Sequence, residues 1–151
     1  MNNGAVGHRR WLLHPTKLNF ATGDTPRANS LGVFLSGSQS FSGDKVAWPN
    51  SGYIPYQLLP SSNRWSLSFA NASFANTIVS MKNKTTGQSY SVSLEAVRPN
   101  YGWDTIVFKP SGLSRSKPSK DQEIEVKVKN VKIGSTEKDF TYIVKIFDPN
   151  T

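Results

Sequence analysis

Residues 46–69 read VAWPNSGYIPYQLLPSSNRWSLSF, and the end of that stretch decides the fold. Trp65, Leu67 and Phe69 alternate with Arg64, Ser66 and Ser68, the period of two that marks a strand with one buried face. Upstream, Trp48-Pro49 and Ile54-Pro55 hold the backbone extended before each proline, which suits a long, irregular edge. Large aromatic side chains in this stretch offer much of the area that a small β-domain must bury.

The same alternation recurs downstream. Residues 76–82 set Ile78 and Ser80 against Thr77, Val79 and Met81, and residues 83–87 follow as a hairpin loop ending in Gly87. Residues 89–97 return with Tyr90, Val92, Leu94 and Ala96 expected inward, and residues 104–109 alternate Ile106 and Phe108 with Val107. The Ser-, Lys- and Pro-rich connection 110–122 reads as mobile. Residues 123–129 place Ile124, Val126 and Val128 inward and Glu123, Glu125, Lys127 and Lys129 outward. Phe140, Tyr142, Val144 and Ile146 repeat the pattern in a closing strand. Six or seven short strands separated by turn signals predict an all-β, antiparallel β-sandwich of immunoglobulin or fibronectin-III type. Its expected core is Trp65, Leu67, Tyr90, Val92, Val126, Val128, Tyr142 and Val144.

The 151 residues accommodate one β-sandwich domain, 46–151, preceded by an arm and linker, 1–45. The absence of cysteine excludes disulfides and thiolate metal sites. No secretory signal and no membrane-spanning apolar run stands in the sequence. The net charge of +8 invites an anionic partner. It is spread almost evenly, however, with excesses of three, three and two over residues 1–40, 41–110 and 111–151. A nucleic-acid reader concentrates its basic groups on one element, so the diffuse charge argues against nucleic acid.

The arm carries a recognisable motif. Residues 6–13 suit about two helical turns closed by Pro15. The run Val6-Gly-His-Arg-Arg-Trp-Leu-Leu-His-Pro15 resembles the Gly-His-Arg-x-x-Ile-Leu-x-Pro segment of bacterial CAP-superfamily (SCP-like) extracellular proteins. A later module of a bacterial subgroup is similar to Trp48-Pro49, Gly52-Tyr53-Ile54-Pro55 and Arg64-Trp65-Ser66. The resemblance implies the tail of a CAP domain followed by its trailing β-sandwich, in an extracellular or cell-wall setting. His8, with Arg9 and Arg10 beside it, matches the last histidine of a family cleft built from two histidines and two acidic residues. The other three would lie upstream of Met1, so the resemblance implies no inherited activity.

The residues themselves point the same way. His8 and His14 would sit about 240° apart around a helix, or roughly 20 Å apart along a strand, and neither geometry lets both bind one metal. No cysteine nucleophile, no Gly-x-Ser-x-Gly elbow and no phosphate-binding glycine loop is present. A non-enzyme without metal or cofactor is expected. The aromatic residues Trp48, Tyr53, Tyr56, Tyr101 and Trp103 form the candidate ligand set, because rings on sandwich loops or edges can stack on sugars. Filling the core is the competing role. The functional expectation is a binding module for an anionic cell-wall polymer or glycan. The alternatives are an accessory domain of a secreted enzyme, or a structural spacer. For the arm, the expectation is docking on the sandwich, with Ile143 and Phe147 of the closing strand as the landing place.

Overall fold

The computed structural model describes residues 6–17, 19–33, 36–95 and 102–150. It is an all-β sandwich with one short helix. Helix α1 spans Gly7–Leu12, and a separate hairpin follows from β1 (Ala21–Thr25) and β2 (Ala28–Gly32). The first sheet of the sandwich has the order β3-β5-β10-β9, from Val46–Trp48, Trp65–Phe69, Asp104–Pro110 and Val92–Glu95. The second has the order β4-β12-β11-β7-β8, from Gly52–Pro55, Thr136–Phe147, Gln122–Ile133, Ile78–Asn83 and Ser89–Tyr90. Strand β6 (Ala72–Ser73) pairs with β11. Every pair is antiparallel except β4 with β12.

The core lies between the sheets and is built from the alternating residues. Trp65, Leu67, Phe69, Phe108, Ile124, Val126, Val128 and Val144 are wholly buried, and Tyr90 and Tyr142 nearly so. Phe69 and Phe140 meet at 4.6 Å between ring centroids, joining the two layers. Val92 is only half-buried. The expected strand 89–97 is in fact broken at Ser91: Tyr90 belongs to the second sheet and Val92–Glu95 to the first. That crossing leaves Leu94 on the margin, 49 % exposed rather than inward, and Ala96 lies outside the described residues.

Two further expectations give way. Residues 21–32, expected to be part of the linker, form a hairpin. Thr22, Asp24, Asn29 and Ser30 carry no apolar alternation, so the pairing left no signature in the side chains. The connection after β10 is tied down instead of loose. Leu113 is buried, Asn63 Nδ2 donates to Pro110 O at 3.1 Å, and Lys117 Nζ lies 2.6 Å from Asp148 Oδ2.

The arm does fold back, but onto the first sheet and not onto Ile143 and Phe147. Arg9 Nη1 donates to Arg64 O at 2.8 Å and to Ser66 Oγ at 3.3 Å, and Arg10 Nη2 donates to Trp103 O at 2.9 Å. Ser66, Thr105 and Val107 all point away from the core, yet all are buried. Val107 pairs with Ser66 across the strands, on the same outward side of the sheet. The expected landing place is taken: Phe147 packs edge-on against Tyr53 of the neighbouring β4, 5.9 Å between centroids.

Candidate functional site

Of the five aromatic residues singled out for ligand binding, the four that are described do not converge. Trp48 and Tyr56 pack against the core, which is the structural role for large rings. Tyr101 lies outside the described residues. Trp103 is half-buried beneath the arm, 6.4 Å from the His14 ring and 5.6 Å from Phe41. Gly102 permits that approach: its φ is +83°, and a Cβ there would stand 2.8 Å from His14 Cδ2. Trp103 is therefore part of the arm–sandwich joint. Of the four that are described, Tyr53 alone is placed openly, 68 % exposed on the outer face of the second sheet.

That face is built by register. The parallel pairing of β4 with β12 sets Tyr53 beside Lys145, whose Nζ lies 5.3 Å from the Tyr53 ring centroid, within reach of a cation–π contact. Lys145 also bonds Glu123 at 2.9 Å, across the β11–β12 ladder. Both the bond to Glu123 and its charge hold the Lys145 ammonium above the ordinary lysine range. Next along β11, Glu125 pairs with Lys127 at 3.0 Å, and the lysine lowers its carboxyl pKa. Farther from Tyr53, Lys82 and Lys129 are exposed and enter no ion pair among the described residues. Ile78, the cross-strand neighbour of Lys129, is 60 % exposed. The face thus offers one aromatic platform and a row of ammonium groups, with two carboxylates neutralised locally. It can stack a ring and hold several negative charges.

The arm presents different chemistry. His8 lines an open groove of about 340 Å³ with Trp11, Asn29, Leu31 and Val33. His14 is turned the other way, stacked on Trp11 at 5.9 Å, and burial together with the charge of Lys17 lowers its pKa. The two histidines do not share a site. Among the described residues no group of three or more His, Asp or Glu side chains is placed to hold a metal. Arg9 is held down to a pKa of about 10, first by burial and then by the nearby charge of Arg64. Both Arg9 and Arg10 act here as struts between arm and sheet.

Sequence reasoning missed Lys145 and Lys82 as members of a candidate surface. The alternation placed Lys127 and Lys129 outward, but only cross-strand register brings Lys145 against Tyr53. No family profile matches the chain, and no curated protein matches it.

Proposed function

We propose that the chain is a non-catalytic binding module of the kind that trails a CAP domain in secreted bacterial proteins. In this reading its second sheet lays its outer face on anionic or glycan polymers of the cell wall. The observation that carries it is Tyr53: a tyrosine 68 % exposed, with an ammonium group against its ring, on a lysine-bearing face. A sugar ring can stack on such a platform, and the surrounding lysines supply weak, additive attraction to a polyanion. The Gly-His-Arg motif and the later Trp-Pro and Arg-Trp-Ser segments support the extracellular setting by resemblance.

A second reading, an accessory part of a larger assembly, is favoured by the hairpin β1–β2. Its strands are exposed from Ala21 to Ser30, and a two-stranded hairpin is marginal in water without a layer to pack on. The readings are separated by co-sedimentation with purified bacterial cell walls. Binding by the intact chain that is lost on Tyr53→Ala supports the polymer-binding module. Failure to sediment, or equal binding by Tyr53→Ala, sinks it.

A further inference from the structure

The connection between β10 and β11 arches over one end of the sandwich and leaves a crevice of about 250 Å³. Its floor is apolar, from Tyr90, Leu113, Ile124 and Ile146. Its near wall is a pinned amide network. Asn83, only 4 % exposed, donates through Nδ2 to Gln122 Oε1 at 2.8 Å and to Tyr90 Oη at 3.4 Å. The backbone N–H groups of Thr85 and Thr86 donate to Asn83 Oδ1 at 2.9 and 3.1 Å. Gln122 Nε2 in turn donates to Lys120 O at 2.8 Å. These amides are spent on holding the wall. The hydroxyl residues Thr86, Ser116, Ser119 and Tyr90 also line the crevice; Tyr90 Oη and Thr86 Oγ1 each accept one bond, from Asn83 Nδ2 and from the Gln88 N–H, and keep a proton to donate.

The charge state of the crevice narrows what it can take. Lys117 is its one charged lining residue, and the ammonium is neutralised by the buried Asp148 carboxylate at 2.6 Å. Small-molecule sites join an apolar surface to a few convergent polar groups, and those for drug-sized ligands span about 300–1,000 Å³. This crevice is smaller, neutral and rich in hydroxyls over an apolar floor. We propose that it binds a single neutral sugar residue, its apolar edge on the floor and its hydroxyls toward Tyr90, Thr86 and the serines. The proposal rests on the glycan branch of the function above but uses a different part of the molecule from the Tyr53 face.

The test is a two-dimensional amide NMR titration of the intact chain with glucose, N-acetylglucosamine and glucuronate. Shift changes centred on Tyr90, Ser116 and Gln122, larger with the neutral sugars than with glucuronate, are expected. Tyr90→Phe removes one hydroxyl partner and should weaken binding about two- to tenfold, the value of one hydrogen bond. Ser116→Trp, at an exposed position, fills the crevice without disturbing the core and should abolish the response. Tyr53→Ala should leave it unchanged. Absence of shifts at the crevice, an equal or stronger response to glucuronate, or an undiminished response in Ser116→Trp overturns the proposal. Shifts confined to the Tyr53 face overturn it too, while leaving the polymer-binding reading standing.

Discussion

Val6 sets burial against backbone strain, and substituting it measures how firmly the arm is seated. Its side chain is fully buried, while its backbone, at φ 44° and ψ 40°, lies in the left-handed region. A β-branched residue there is a genuine outlier, with a cost on the order of 1–3 kcal/mol. Val6→Ala removes two buried methyl groups at about 0.8 kcal/mol each. With incomplete closure of the space, a loss of about 1.5–2.5 kcal/mol follows. Val6→Gly forfeits roughly one further carbon and about 0.5–1 kcal/mol of chain entropy. It also removes the left-handed strain, which offsets much of that. The glycine variant should therefore match the alanine variant within about 1 kcal/mol, although it is smaller. The readout is hydrogen exchange at the Arg10 amide, which bonds Val6 O at 3.0 Å in the first turn. Val6→Ala should speed that exchange about ten- to sixtyfold, as 1.4 kcal/mol is tenfold. Exchange in Val6→Gly faster than in Val6→Ala by a further hundredfold would refute the balance of burial against strain. No change in either variant would refute docking itself.

Three other outcomes follow from the same contacts. Trp65→Ala should lower unfolding stability by about 3–5 kcal/mol in urea titration, because a wholly buried tryptophan is replaced by a cavity. Burial and Lys17 depress the His14 pKa, so the unfolded arm binds its proton more tightly than the docked one. Arm stability should be full above the ordinary histidine value of about 6.5 and fall as pH drops through it toward the folded value. Tryptophan fluorescence between neutral and mildly acid pH should report this, and His14→Phe should flatten the dependence. Asp148 is shifted in the same direction for a different reason: its bond to Lys117 comes first among the causes that lower its carboxyl pKa. The loop anchor is then present above the usual carboxylate range and lost as pH falls through the folded value. Limited proteolysis of residues 111–121 should increase in acid, and Asp148→Asn should show that susceptibility already at neutral pH.

The parts of the fold that were legible in sequence are those in which one strand face meets the core. Trp65, Leu67 and Phe69, or Ile124, Val126 and Val128, declare their burial by period alone. Where burial comes from elsewhere in the chain, the period is silent. Val107 and Ser66 sit at outward positions and are buried all the same, Ser66 beneath the Arg9 guanidinium of the arm. Trp103 looked like a loop aromatic free to stack on a ligand, and the joint with His14 consumed it. The hairpin β1–β2 is held by main-chain pairing among small and polar residues, which leaves no apolar signature to read. Tyr53 is an exposed ring, but its partner Lys145 is 92 residues away in sequence and was set by the parallel register with β12.

The most direct measurement is the dissociation constant for a linear glycerol-phosphate polymer across a salt series, with two variants of equal charge change. Lys82→Glu with Lys129→Glu alters the outer face of the second sheet, and Lys17→Glu with Lys120→Glu alters basic groups elsewhere. Exposed charges contribute about 0.2–1 kcal/mol each, so the outer-face pair of reversals should weaken binding about tenfold more than the control pair. Affinity for the unaltered chain should fall steadily as salt rises. Equal losses in the two variants would mean that net charge alone attracts the polymer, and no measurable binding by the intact chain would contradict the reading of the Tyr53 face outright.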